Sequence, residues 1–418
     1  MFPIASSIRV AAARIADRDH GNGPLRTKSG PDPLRAELFG IEQLQRHAVA
    51  LATRHRLDPR HGPNRLLARL AENEKSLAQT YDLVMATETR GLRVTPAGEW
   101  LLDNYYLIEQ QIRLAKLHLP RMYSRELPRL ITGPMAGFPR VYDIVLELIK
   151  HVDGRVDAEN LGAFVTSYQS VSPLALGELW AVPIMLRLAL IENLRRIASG
   201  IALRRKHQDL ADRWAARLVA AAVKGPKDVL QELAAMAQVD PPFTNAFVEE
   251  FSLRLQGQST ALAIVQSWVE HHLAEEGLTR EQLQRGDSQV QAAREVSMGN
   301  SMGSIRFLID MDWREFVETM SVVERALRAD PAVVYGTMDF ATRDRYRHRV
   351  ESIARRSKLR EADVARAAVQ LAEEAARRDD PQARAAHVGF YLVDAGQQLL
   401  ETRVRASGAF TRFAGRLG

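Results

Sequence analysis

Apolar residues recur at three- and four-residue spacing along most of this chain, the period of a helix that buries one face. The run RLLARLAENEKSLAQTYDLVMATET, over 65–89, is one such window. Others start near Leu34 and continue through RAELFGIEQLQRHAVALATRH, then occupy 99–118 and 140–152. Asp157 is placed to cap a helix over AENLGAFVTSYQSV. Ser172-Pro173 predicts a further helix entry, since a serine oxygen can cap and proline suits the first helical position. That helix should bend near Pro183, which cannot donate its turn's hydrogen bond, and end at KGPK, 224–227. Helical windows follow at 228–237, 244–255 and 259–276. The stretch around SMGNSMGS predicts a helix broken by Gly299 and Gly303. Asp312 and Glu315 read as a capping box for a helix over 313–328. The last windows are 342–357, 361–378 and 381–405. Strand alternation nowhere exceeds about four residues, and neither a β-α-β order nor a repeat is visible. The expected fold is all-α, with about fifteen helices in two or three packed bundles.

The punctuation suggests four parts. Residues 1–33, which include DHGNGPLRTKSGPDP, read as a flexible leader. Residues 34–224 form a first helical subdomain, 225–408 a second, and 409–418 a tail. A chain of 418 residues exceeds what one small core organises.

Composition narrows the chemistry. Hydrophobic residues make up 46% and charged residues 26%, which is ordinary for a globular protein. The absence of cysteine excludes disulfides, thiolate metal sites and a cysteine nucleophile. The net charge is +6, but 51 acids are interleaved with 57 bases, as in RDRYRHRVESIARRSKLREADVARA. That interleaving points to solvated helix faces and away from the segregated basic stripe of a nucleic-acid binder. A basic surface facing anionic lipid or phosphate is the second reading. The longest apolar run, LWAVPIMLRLALI, contains Arg187 and is shorter than the roughly 20 residues a membrane helix needs. The opening residues lack the three-part form of a secretory signal, so the segment itself is expected to be soluble.

Candidate catalytic patterns are few. Asp310-Met-Asp312 has the form of a metal-diphosphate motif, but Asp312 is better explained as a helix cap. The histidines, His271-His272 among them, lack His-x-x-x-His spacing with an acid partner, so no metal site is expected. Neither a phosphate loop nor a Gly-x-Ser-x-Gly elbow is present. No catalytic or cofactor-binding residue is therefore assigned. The acids Asp103 and Glu109, and Glu178 and Glu192, allow either a glycosidase-like pair or ion pairs that fix helix packing. Arg195 and Arg196 lie three and four residues after Glu192 and favour the second. The aromatics Tyr105, Tyr106, Tyr142, Tyr168 and Trp180 suit a sugar surface, an interface or a core. Trp180 is expected to be largely buried and Glu192 ion-paired. Tyr105, Glu109, Arg113, Arg121, Tyr123 and Arg125 combine aromatic and arginine content favoured at interfaces, and Glu178, Trp180, Glu192 and Arg195 complete the candidate set.

Several long blocks occur in a fixed order: TPAGEWLLDNYYLIEQQIRLAKLHLPRMYSRELPRL, GFPRVYDIVLELIKHVDGRVD, SYQSVSPLALGELWAVPIMLRLALIENLRRIA, DWREFVETMSVVERALRADPAVVYGTMDFATRDRYRHRVESIAR and AAHVGFYLVDAGQQLLE. Together, over about 66–401, they resemble the N-terminal region of bacterial cyclic β-1,2-glucan synthases. The resemblance implies a large inner-membrane enzyme that polymerises glucose from UDP-glucose, with a divalent metal, and cyclises the product. A phosphorylase-like C-terminal domain sets chain length. This chain resembles only what precedes the first membrane helices, with 409–418 leading toward them. The transferase signatures are absent, so no catalytic residue and no cofactor carries over. The implied role is an accessory helical region at the cytoplasmic face of the inner membrane, docking on the transferase and membrane portion of the same or a companion chain. Two alternatives are a β-1,2-glucan-binding module that holds the nascent chain and a regulatory scaffold on anionic lipid. No nucleic-acid partner is expected.

Overall fold

The computed structural model describes residues 36–58, 65–119, 126–357, 359–378 and 383–414, with side chains described as far as 406. Among these are sixteen α-helices, three short 3₁₀ turns and one two-stranded ladder of two residues each. The all-α expectation holds. The helices are α1 (Ile41–Arg54), α2 (Arg65–Thr89), α3 (Pro96–His118), α4 (Arg140–His151), α5 (Ala158–Gln169) and α6 (Leu176–Lys224). They continue with α7 (Pro226–Val239), α8 (Asn245–Leu255), α9 (Ala263–Glu275), α10 (Arg280–Asp310) and α11 (Trp313–Met320). The last are α12 (Val322–Leu327), α13 (Phe340–Ser357), α14 (Glu361–Arg378), α15 (Val388–Val393) and α16 (Gln397–Ala414). The strands β1 (Leu57–Asp58) and β2 (Arg129–Leu130) pair antiparallel and tie the exit of α1 to the entry of α4. The leader expected over 1–33 lies outside the described residues.

The organising element is α6. Its 49 residues extend for about 74 Å at 1.5 Å per residue. Its first half is apolar nearly all round and is buried accordingly, with Leu179, Met185, Leu190, Leu194 and Ile197 all inaccessible or nearly so. Around it α1 to α5, the second half of α10 and α11 form one apolar core. The second half of α6 supplies Ala211, Trp214, Leu218 and Ala221 to another core, completed by α7, α8 and α9. A third core is built from α12 to α16.

Local chemistry explains most helix ends. Asp157 caps α5 through the Asn160 N–H at 2.9 Å, and Asp312 caps α11 through the N–H groups of Arg314 and Glu315. Three expectations need correction. The helix expected from Ser172-Pro173 begins later, at Leu176, because the Arg140 guanidinium engages the Ser172 hydroxyl (2.7 Å) and the Pro173 carbonyl (2.8 Å) outside it. The breaks expected at Gly299 and Gly303 do not occur. Ser297, Met298, Ser301, Met302 and Ile305 are buried there, and their packing outweighs about 1 kcal/mol of helix propensity per glycine. The helix expected over 313–328 is two helices, because the Ser321 hydroxyl accepts the Glu324 N–H and starts a new one.

One glycine is required by packing. Gly154 has φ +77°, and a Cβ there would meet the Ser301 hydroxyl at 2.7 Å. The turn around it is locked to α10. Ser304 Oγ donates to the Gly154 carbonyl (2.6 Å) and accepts from the Val156 N–H (2.8 Å).

Candidate functional site

At the start of α6, Glu178 accepts two hydrogen bonds from Arg140, the first residue of α4, each 2.6 Å long. Both side chains are nearly inaccessible, and Glu178 also receives the Ala175 N–H at 3.0 Å. Burial alone would lower the Arg140 pKa, but the Glu178 carboxylate overrides that and raises it. Close by, Glu361 at the start of α14 accepts the Leu176 N–H at 2.8 Å. Burial pushes its pKa up to about 7; the Leu176 bond opposes this and the Glu351 and Glu178 charges reinforce it.

Four turns along α6, Glu192 is held by three guanidinium groups. Arg69 of α2 donates through Nη2 (2.8 Å) and Nε (3.2 Å), Arg195 at 3.0 Å and Arg196 at 3.2 Å. Burial would raise the Glu192 pKa; Arg69 and then Arg195 outweigh it and hold it below the ordinary carboxylate range. Glu192 is ion-paired as expected. Arg69 was invisible to local spacing because it lies 123 residues away in sequence.

The two glutamates are fourteen residues apart on one continuous helix, so they stand about 21 Å apart along its axis. Glycoside hydrolysis needs carboxylates roughly 5–9.5 Å apart. The open choice between acid pair and packing ion pairs therefore resolves toward ion pairs for Glu178 and Glu192.

The docking candidates separate. Tyr105 is half-buried and stacks on Tyr81 with ring centroids 4.1 Å apart, and burial raises its pKa. Glu109 and Arg113 are exposed on α3 and pair with each other at 3.1 Å. Tyr106, on the same helix, is 68% exposed. Arg121, Tyr123 and Arg125 lie outside the described residues. Trp180 was expected to be largely buried and is only half-buried. It meets Phe340 of α13 edge-on at 6.5 Å, and it lines a groove with Glu126, Gly177, His348, Glu351 and Arg355.

Two polar clusters escaped the sequence reading. In the arginine-rich run read as solvated faces, Arg347 is fully buried. It donates to Glu324 (2.6 Å), Glu318 (2.9 Å) and Asp344 (3.1 Å), while the Tyr335 hydroxyl donates to Glu324 at 2.6 Å. The second cluster is the seam between α1 and α4. His47 Nε2 lies 3.0 Å from Glu147 Oε2, His151 Nε2 lies 3.8 Å from the same oxygen, and Lys150 Nζ lies 2.5 Å from Glu147 Oε1. Burial would raise the Glu147 pKa; the His47 and Lys150 hydrogen bonds instead bring it down to about 2. One turn earlier, His55 Nε2 donates to Asp143 at 3.1 Å, with the Tyr168 hydroxyl 2.8 Å from its Nδ1. The seam has no His-x-x-x-His signature, because the helical pair is Glu147-x-x-x-His151 and the second histidine comes from another helix.

Fold and clusters together define an all-helical region whose buried charges serve packing, with exposed Tyr106 on α3 and half-buried Trp180 lining a groove. No family model matches the chain. Over 381 residues, 89% of its length, it is 32% identical to the cyclic β-(1,2)-glucan synthase NdvB of Rhizobium meliloti (strain 1021). The match spans only 13% of that synthase, so the chain is similar to one region of it. No described helix is long and apolar enough to cross a membrane.

Proposed function

We propose that this chain serves glucan biosynthesis as an accessory helical region of a cyclic β-1,2-glucan synthase, working by contact with the transferase and membrane portion. The observation that carries this reading is the similarity to one region of such a synthase along 89% of the chain. The geometry is consistent with a contact role, because Glu178 and Glu192 are committed to arginines. The docking face is the exposed side of α3 that carries Tyr106, Glu109 and Arg113. UDP-glucose and the divalent metal of polymerisation belong to the transferase portion, at the cytoplasmic face of the inner membrane. The test places Tyr106→Ala with Arg113→Glu in the complete synthase and follows radiolabelled glucan synthesis in membranes. Exposed positions contribute little to folding, so the expected result is normal accumulation of the enzyme with reduced synthesis. Full synthesis by a normally folded double variant overturns the docking face.

A second reading has its own observation. The half-exposed Trp180 beside Glu126, Glu351 and Arg355 offers an aromatic platform flanked by hydrogen-bonding groups, the chemistry that suits a sugar ring. Titration of the chain with linear β-1,2-glucan, for wild type and Trp180→Ala, tests it. Saturable binding lost in the variant supports glucan holding, and no binding by the wild type rejects it.

A further inference from the structure

The seam between α1 and α4 gathers donors in an arrangement that ion pairing alone does not explain. His151 Nδ1 faces the Glu37 backbone carbonyl at 2.8 Å and must donate to it, because a carbonyl can only accept. In the neutral ring, Nε2 is then a bare acceptor. It points at Glu147 Oε2, another acceptor, 3.8 Å away. Rotation of the ring is opposed by Phe39, which stacks on it with centroids 3.9 Å apart and planes 6° from parallel. His47 approaches the same carboxylate oxygen from the other helix, and its ring centroid is 4.4 Å from that of His151. Three ligand atoms thus converge within 4.8 Å of one another, the one such group of three or more among the described residues.

We propose that His47 Nε2, Glu147 Oε2 and His151 Nε2 form a binding site for one divalent cation of the Zn²⁺ class. Two imidazoles and a carboxylate are the donors such borderline ions favour. Ligand atoms around a tetrahedral ion at 2.0–2.1 Å stand about 3.3 Å apart. The two distances to Glu147, 3.0 and 3.8 Å, bracket that spacing, and the two imidazole nitrogens lie within 4.8 Å of each other, so modest side-chain adjustment admits the ion. The supporting contacts are those that orient metal ligands. The Glu37 carbonyl fixes the His151 tautomer, and Lys150 holds the other Glu147 oxygen, leaving Oε2 for the ion. Loading requires His47 Nε2 to give up the proton it shares with Glu147, its ring taking the Nδ1–H form. Side-chain exposures of 19%, 16% and 10% leave an entry path and room for water as a fourth ligand.

The consequence is structural. The Ala36 N–H donates to the Lys150 carbonyl and the Phe39 N–H to that of His151, each at 3.0 Å. A bound cation would staple this entry segment and α1 to the end of α4. The site is independent of the synthase reading.

The test uses the full chain, stripped with chelator and titrated with Zn²⁺ alone by calorimetry, with Co²⁺ absorption as a second readout. One tight Zn²⁺ per chain is expected, and four-coordinate Co²⁺ bands. His47→Gln or Glu147→Gln should weaken binding at least 100-fold. A His271→Ala/His272→Ala variant removes the exposed His271 pair with Glu275 and the half-buried His272 pair with Glu276, and should bind like wild type. Equal titrations for wild type and His47→Gln, or loss of binding in the His271/His272 variant, overturn the proposal. Hydrogen exchange of the wild type with and without Zn²⁺ covers the case of a misfolded variant. Slowed exchange confined to 36–54 and the end of α4 supports the site, and unchanged exchange there rejects it.

Discussion

Replacing Glu178 by glutamine tests whether the α4–α6 junction depends on its buried ion pair. The glutamine is nearly isosteric, so no cavity forms. It keeps one acceptor toward Arg140 Nε but turns an amide donor toward Nη2, where a carboxylate oxygen now sits at 2.6 Å. Arg140 is 4% exposed, and its guanidinium cannot recover its hydration. Breaking a buried pair from one side costs about 3–5 kcal/mol. Arg140 retains the Ser172 hydroxyl and the Pro173 carbonyl, which places the expectation near the lower limit, about 3 kcal/mol. For a cooperative unit of roughly 200 residues that corresponds to a fall of about 6–12 °C in Tm. The assay is thermal and urea unfolding followed by far-ultraviolet circular dichroism, run beside Arg140→Met, Glu178→Leu and the Arg140→Met/Glu178→Leu double variant. Leucine-like packing of the double variant should recover much of the loss, because apolar replacement of both partners is often neutral. A single variant within about 0.5 kcal/mol of wild type, or strictly additive losses in the double, would refute the reasoning.

Two further outcomes follow from the same region. The raised Glu361 pKa, about 7 against an ordinary 4.5, means that the folded state holds a proton there that the unfolded state releases. That stability is complete below about pH 4.5 and is lost as pH rises through about 7, so Glu361→Gln should flatten the decline in urea midpoint between pH 5 and 8. Identical slopes for both proteins would show that Glu361 titrates normally. Trp180→Ala should cost about 1–2 kcal/mol, below the 3–5 of a fully buried tryptophan, because one side of the ring faces the groove; a loss above about 3 kcal/mol would mean that the groove is closed in solution.

Where periodicity and chain-local capping decide the outcome, the sequence is readable. The expected windows over 65–89 and 361–378 match α2 and α14 at both ends. Asp157 and Asp312 cap as expected because a capping side chain reaches only three residues ahead. The split at Ser321 was legible too, since SVVE has the form of a capping box, but Asp312 and Glu315 offered the same signal nine residues earlier. The remaining misses depend on distant partners. Arg140 holds Ser172 from 32 residues away, and the buried serine and methionine face of α10 keeps Gly299 and Gly303 helical. The candidate site divides in the same way. Arg195 and Arg196 were found by helical spacing, whereas Arg69 and the partnership of His47 with Glu147 exist only once α1, α2, α4 and α6 are packed.

The placement of the buried charges is itself an argument about what the fold must specify. Burying an ion pair is no more stabilising than packing two aliphatic side chains of similar size, so stability alone does not account for these clusters. What they share is position. Arg140–Glu178 joins α4 to α6, Arg69–Glu192 joins α2 to α6, and Arg347 joins α13 to α11 and α12. An apolar face on a 49-residue helix can slide by one turn and still bury leucine against leucine. A carboxylate that must meet a guanidinium from a neighbouring helix cannot, because the shift strips buried Glu178 of Arg140 and leaves buried Glu192 only the arginines of its own helix. As a hypothesis, the two glutamates of α6 fix its register at two heights. Replacing Arg69 and Glu192 by methionine and leucine would then leave the midpoint nearly unchanged while broadening the amide spectrum of the first core. A single sharp set of resonances from that variant would show that apolar packing alone sets the register.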